Sequence, residues 1–150
     1  GGLRGGTTFV AGVVGMAAAL ELACRDMERN NAHIRALRDS FVAGVLSGVP
    51  GARLVGDNVR RVPSNANIMF PGCRGERIMI NLDMAGIAVS TGSACSSGAS
   101  KPSPVLLAMG LSEEEAASCV RFTFGRENTL EQVSRACAAV ISAVNAIRGK

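Results

Sequence analysis

Apolar residues recur at helical spacing through the first third of the chain, and residues 8–46 contain no proline. This pattern predicts one long helix, or two nearly continuous helices, ending at Pro50 and Gly51. Such a helix would be roughly 60 Å long at 1.5 Å per residue, which exceeds what the core of a small domain needs. We therefore expect this region to connect to another domain or subunit.

Beyond Gly51, short strand patterns and helical patterns follow one another. Two capping boxes predict helix starts: S-x-x-E beginning at Ser112 and T-x-x-Q beginning at Thr129. The pattern indicates an α+β fold, in which a long N-terminal connecting helix precedes a small, mostly antiparallel sheet covered by helices. The predicted strands are 52–55, 65–70, 87–90 and 120–124, and the predicted helices are 75–85, 104–109, one from Ser112, and one from Thr129 to Arg148.

Residues 91–103, with the sequence TGSACSSGASKPS, show no periodicity and offer little apolar area to bury. They predict a mobile loop that carries Cys95. A cysteine that moves between two partners needs a loop that can move, small neighbours and enough exposure to ionise. The alternative is a flexible surface turn with an incidental thiol.

The composition narrows the class of protein. A chain of 150 residues with 47% hydrophobic residues can build the core of one domain. The net charge of +4 comes from scattered basic residues, and only 3% of residues are aromatic, so nucleic-acid binding is not indicated. Charged residues, Gly and Pro interrupt every apolar run, which argues against a membrane span. Five cysteines without a C-x-x-C pair indicate neither a disulfide framework nor a zinc site, and they favour a reducing cytoplasm.

Four ordered motifs resemble those of one enzyme family. STGSACSSG followed by KPSPVLLAMGL is similar to the catalytic loop of cysteine desulfurases, and RGGT, NANIMF and VRFTFGRENT resemble other family segments in the same order. These enzymes belong to class V of the fold-type I aminotransferase superfamily and depend on pyridoxal 5'-phosphate. The resemblance implies the C-terminal region of such an enzyme, with residues 1–7 ending the large domain, 8–48 forming the connecting helix and 49–150 the small domain.

The resemblance also implies the reaction and its residues. Cys95 would be the nucleophile that takes sulfur from L-cysteine as a persulfide, leaving L-alanine, and Arg121 would bind the substrate carboxylate. Thr7 would reach the cofactor phosphate of the opposite subunit of a homodimer. The persulfide would then supply a sulfur acceptor, such as an iron–sulfur scaffold protein. Without this resemblance, the sequence favours an exposed surface position on a strand for Arg121 and the N-cap of the long helix for Thr7.

The lysine that holds pyridoxal phosphate as a Schiff base is not evident. The chain has only Lys101, in the predicted loop, and Lys150, its last residue, and neither fits that role. We therefore expect the chain alone to be inactive. Two other functions stay open: a stand-alone module that relays or binds sulfur without cofactor chemistry, and a structural domain with a degenerate loop.

The other polar residues have ordinary interpretations. His33 lies in a charged stretch of the long helix, where a solvated surface position is favoured over a ligand. The acidic run at residues 113–115 is explained by the helix dipole at a helix start, without a metal. Arg126 could contact substrate or a domain interface, and the sequence does not separate these. Cys24, Cys119 and Cys137 lie in apolar or helical stretches where a buried thiol is expected.

Overall fold

A computed structural model describes residues 5–92 and 102–149. Cys95, Lys101, Lys150 and most of the predicted mobile loop lie outside the described residues. The described part forms six helices and three strands, in the order α1 Val10–Arg25, α2 Met27–Gly48, β1 Arg53–Leu54, β2 Asn65–Met69, α3 Gly75–Met84, α4 Pro104–Ala108, α5 Glu113–Ala117, β3 Cys119–Thr123 and α6 Leu130–Arg148.

The three strands form one antiparallel sheet in the order β1-β2-β3. Ile68 lies opposite Val120, and Ala66 lies opposite Phe122, and all four side chains are buried. We call this side of the sheet the inner face. Because side chains alternate along a strand, the opposite side, or outer face, carries the three cross-strand pairs Asn65–Thr123, Asn67–Arg121 and Met69–Cys119.

Helices α2, α3 and α6 cover the inner face. Each contributes apolar side chains three or four residues apart, which lie on one side of a helix. The ring of Phe41 packs at 4.7 Å from that of Phe122, joining α2 to the sheet. These positions form one hydrophobic core that includes Leu37, Phe41, Val45, Ile78, Leu82, Val133, Val140 and Val144.

Helices α2 and α6 pack closely because α2 carries glycine at two positions one turn apart. A Cβ atom added to Gly44 would lie 2.9 Å from the sulfur of Cys137, and one added to Gly48 would overlap the side chain of Ile141. The spacing of the two helices thus depends on these glycines.

The first residue of α3 packs against the chain that enters β3. A Cβ atom on Gly75 would lie 2.6 Å from the carbonyl oxygen of Cys119 and 3.3 Å from that of Ala117. It would also lie 3.2 Å from the methyl group of Thr91. Backbone atoms surround this position on one side, so only glycine fits without movement of the strand.

A second, smaller apolar cluster covers one end of the outer face. Met69 and Cys119 pack there with Leu106 of α4, Ala116 of α5 and Val55. The predicted cover of helices is therefore present over the inner face of the sheet and over one end of the outer face.

The structure confirms the α+β class and most of the predicted elements. The predicted long helix is two nearly continuous helices that meet at Asp26, and both capping boxes are present, at Ser112 and at Thr129. The predicted strand at 87–90 is wrong, since in the described part only Ser90 pairs, through an isolated bridge to Arg121. The apolar residues of that segment instead pack singly against the core, without a continuous ladder.

Helix α1 differs from the other long helices because none of its residues is buried. It has one basic residue in its last turn, no acidic residue in its first turn, and large apolar side chains on its surface. In the described part of the chain, no helix is both long and apolar enough to span a membrane. The exposed apolar residues of α1 and its flanks are Phe9, Val10, Val13, Val14, Met16, Leu20, Leu22 and Met27.

Candidate functional site

The candidate site is the end of the outer face that α4 and α5 leave uncovered. A shallow cavity of about 220 Å³ lies there, next to the edge of β3. It is lined by Ala88, Val89, Ser90, Arg121 and Thr123.

Backbone hydrogen bonds to Ser90 fix Arg121 on one side, and its place in the β2–β3 ladder fixes it on the other. Its N–H donates to the carbonyl of Ser90 at 2.8 Å, and its carbonyl accepts from the Ser90 N–H at 3.2 Å. On the other side, β3 pairs with β2, and Arg121 lies opposite Asn67. The half-buried guanidinium makes no hydrogen bond or ion pair with any other described residue. Its five donors are therefore available to a ligand.

The structure does not join Thr7, another site residue predicted from the sequence, to this cavity. Thr7 is exposed, and no hydrogen bond or shared cavity joins it to Arg121 in the described part of the chain. Thr7 is also not the N-cap of α1, because that position is Phe9 and has no side-chain cap bond. Cys95 lies outside the described residues, five positions after Ser90 in sequence.

The described cysteines are of two kinds. Burial raises the pKa of the Cys119 thiol to about 11, and the thiol donates to the carbonyl of Glu115 at 3.2 Å. Burial also raises the pKa of Cys137, and Cys73 is buried in the core. Cys119 and Cys137 are therefore poor nucleophiles, and all three thiols serve in packing. The expectation that Cys24 is buried is wrong: it is exposed because α1 covers no core.

The remaining candidates lie at or near the surface. His33 is exposed, and its Nε2 lies 3.0 Å from the carbonyl oxygen of Asn128. Glu115 completes the capping box at Ser112, and hydrogen bonds from Ser112 and the nearby Arg53 guanidinium hold the pKa of this carboxyl below its usual value. Arg126 pairs with Glu127 at 2.9 Å on the surface, which leaves its role open. Among the described residues, no group of acidic, histidine and cysteine side chains could hold a metal ion.

Sequence reasoning missed Asn67. The alternation in NANIM places it on the polar side of a strand, where an asparagine attracts no attention. Its signal is structural: its side-chain oxygen is buried and has no hydrogen-bond partner among the described residues. Leaving a buried acceptor unpaired costs about 1–3 kcal/mol, so such groups are rare in folded proteins.

Comparison with known proteins agrees with the motifs. Residues 2–136 match the family described as aminotransferase class-V. The chain belongs to the class-V aminotransferase family. It is 42% identical over 134 residues to a cysteine desulfurase of Gluconacetobacter diazotrophicus, and 42% identical over 134 residues to the cysteine desulfurase NifS of Azotobacter vinelandii. These matches cover 89% of this chain but 34% and 33% of the relatives, so the chain spans about a third of their length.

The fold of this class-V chain also matches solved structures. A NifS-like protein superimposes with a TM-score of 0.80 at 30% identity, over 94% of this chain and 35% of that one. A NifS-like protein from Rickettsia africae gives a TM-score of 0.77 at 28% identity, over 99% of this chain and 37% of that one. The resemblance first seen in four motifs is thus confirmed along most of the chain.

Class-V aminotransferases depend on pyridoxal phosphate, which a lysine holds as a Schiff base. No lysine is present among the described residues of this family member, whose two lysines are Lys101 and Lys150. The described residues therefore do not fit a complete cofactor site. Among them, the guanidinium of Arg121 at the cavity beside β3 is suited to an anionic ligand.

Proposed function

We propose that this chain is the C-terminal region of a cysteine desulfurase, which converts L-cysteine to L-alanine and transfers sulfur to Cys95 as a persulfide. Relatives at 42% identity that are named cysteine desulfurases support this proposal. One structural observation carries it: Arg121 presents a guanidinium without partners among the described residues, at the point where β3 is bonded to Ser90.

The arrangement suits a substrate with a carboxylate and a sulfur atom. Arg121 binds the carboxylate through two parallel charge-assisted hydrogen bonds, which the planar fork of guanidinium favours. Cys95 follows Ser90 by five residues, and five extended residues span at most roughly 18 Å. A carboxylate held at Arg121 therefore fixes the substrate within reach of the part of the chain that carries the nucleophile.

The same proposal assigns the domains. Residues 1–7 end the large domain, 8–48 connect the two domains, and 49–150 form the small domain. The exposed apolar side chains of α1 support this assignment, because large apolar side chains concentrated on one exposed helix are typical of an interface. Thr7, exposed before α1, reaches the cofactor phosphate of the opposite subunit in a homodimer, and the Schiff-base lysine belongs to the large domain.

The test compares the chain alone with a complete protein in which the chain is joined to a class-V large domain. Each is incubated with L-cysteine and pyridoxal phosphate, and L-alanine, sulfide and the mass of the Cys95 peptide are measured. We expect a gain of one sulfur atom on Cys95 and formation of L-alanine only in the complete protein. The variant Cys95→Ser should lose both while keeping the melting temperature.

Two results would contradict the proposal. Turnover retained by Cys95→Ser would remove the assigned nucleophile. Alternatively, the isolated chain could accept sulfur from a persulfide donor while the complete protein forms no L-alanine. That result would identify the chain as a sulfur-relay module. When the enzyme is active, adding an iron–sulfur scaffold protein should discharge the persulfide and identify the class of acceptor.

A further inference from the structure

Asn67 and Arg121 face each other at a position of the sheet where side chains come closest. The N–H and carbonyl of Arg121 both bond to Ser90, and the carbonyl of Asn67 accepts from the N–H of Val55. Neither backbone therefore bonds to the other, so this is a non-hydrogen-bonded pair of the β2–β3 ladder. In such pairs the Cα atoms lie roughly 4.5 Å apart, closer than in hydrogen-bonded pairs.

Among the described residues, the side-chain oxygen of Asn67 lacks a hydrogen-bond donor and the side chain of Arg121 lacks an acceptor. The amide oxygen of Asn67 is buried and accepts no hydrogen bond from a described residue. The guanidinium of Arg121 has five donors and no hydrogen bond or ion pair within the described part. An unpaired buried acceptor thus lies across the strand from an unpaired set of donors.

The apolar surroundings of position 67 make a polar side chain there unfavourable for folding. Met69 and Cys119, the next cross-strand pair on the outer face, belong to the apolar cluster beneath α4 and α5. An aliphatic side chain at position 67 would extend that cluster and leave no buried acceptor unpaired. Packing therefore does not explain the asparagine, which suggests a role in binding.

We propose that Asn67 is a positioning residue for Arg121, an inference that rests on the proposed function. Its amide oxygen accepts a hydrogen bond from one edge of the guanidinium when substrate is bound. The other edge of the fork is then held in the plane of the substrate carboxylate. Without Asn67, the long side chain of Arg121 is free to rotate, and part of its binding free energy is lost in ordering it.

The test uses the complete enzyme and two probes that differ in one group. L-cysteine has the carboxylate and cysteamine lacks it, so the ratio of their dissociation constants reports on carboxylate recognition alone. Asn67→Leu should lower the preference for L-cysteine about tenfold, and it should raise KM for L-cysteine with little change in kcat. The melting temperature should not fall, because the substitution removes an unpaired buried acceptor.

Matched variants separate this role from a structural one. Asn65→Leu changes an asparagine on the same face of the same strand, and it should keep the wild-type preference. Asn67→Val, with a side chain suited to strands, gives a second measurement if leucine prevents folding. Combining Asn67→Leu with Arg121→Lys should lower the preference little more than Arg121→Lys alone, since both act on one contact.

Two outcomes would overturn the inference, and they are distinguishable. In the first outcome, Arg121→Lys lowers the preference for L-cysteine, but Asn67→Leu and Asn67→Val leave it unchanged. Arg121 would then bind the carboxylate without help from Asn67, and the proposed function would stand. A preference unchanged by Arg121→Lys itself would overturn both the carboxylate site and the role of Asn67.

Discussion

Replacing Gly75 by alanine should destabilise the fold, although the same change usually stabilises a helix. The added Cβ atom would lie 2.6 Å from the carbonyl oxygen of Cys119, about 0.8 Å inside the ordinary contact limit of 3.4 Å. It would also approach the carbonyl of Ala117 at 3.3 Å and the methyl of Thr91 at 3.2 Å. Two of these three neighbours are backbone carbonyl oxygens, at the end of α5 and the start of β3, which cannot rotate away.

The magnitude follows from two opposed effects. Inserting a methylene into a well-packed position costs about 1–3 kcal/mol. The gain of about 0.5–1 kcal/mol that alanine has over glycine in the middle of a helix is smaller here, because Gly75 is the first residue of α3. The net loss should be about 1–2 kcal/mol, which lowers the melting temperature by about 2–8 °C for a chain of this size. Thermal unfolding followed by far-ultraviolet circular dichroism suits this protein, because it has no Trp or Tyr.

Two other glycines serve as controls. Gly125→Ala places its Cβ atom 3.8 Å from the nearest side-chain atom and should be close to neutral. Gly15→Ala, inside α1 with nothing within 4 Å, should stabilise the protein or leave it unchanged. If Gly75→Ala melted at or above the wild-type temperature while the controls behaved as expected, the close approach of α3 to β3 would be refuted.

Three other measurements test the core and the site. Gly44→Ala should cost about 1–3 kcal/mol through its contact with the Cys137 sulfur, and combining it with Cys137→Ala should cost less than the sum of the single changes. Additivity in urea unfolding would contradict this. Because burial raises the pKa of Cys119 from 9.0 to about 11, the folded state keeps a proton that the unfolded state loses. The free energy of unfolding should therefore fall between these pH values, and Cys119→Ala should show a smaller fall. In the complete enzyme, Arg121→Lys should weaken L-cysteine binding about tenfold to over a hundredfold, since lysine keeps the charge but loses the fork. Unchanged affinity would show that Arg121 faces elsewhere.

Much of the fold could be predicted because local chemistry and burial agree along the chain. The capping boxes at Ser112 and Thr129 predicted two helix starts, the prolines that flank NANIMF predicted β2, and alternation in VRFTF predicted β3. The segment 87–90 is short and mostly apolar, which predicts a strand, but Ile87 and Val89 pack against the core and only Ser90 pairs with β3. An apolar pattern predicts which side chains are buried. Strand pairing also needs a neighbouring strand, which the pattern does not identify.

The candidate site was predictable in part, and only through resemblance. Nothing in the alternation of VRFT separates Arg121 from an ordinary surface arginine, because its environment depends on which end of the outer face α4 and α5 cover. Asn67 was not predictable from sequence, since its lack of a partner appears only when β2 and β3 are in register. Thr7 and Cys95 remain assignments by family likeness.

The described residues on both sides of 93–101 are held by β3, α3 and α4, so the packing of these elements matters for the site. Before the segment, Ser90 is bonded to Arg121, and the hydroxyl of Thr91 lies 3.8 Å from the sulfur of Met79 on α3. After it, Ser103 is buried, and its carbonyl accepts from the N–H of Leu107 at 3.1 Å. A change at Gly75 therefore acts on stability and also on the position from which the chain leads to Cys95. If Gly75→Ala slowed persulfide formation more than its loss of stability explains, the core would be shown to position the nucleophile as well as to stabilise the fold.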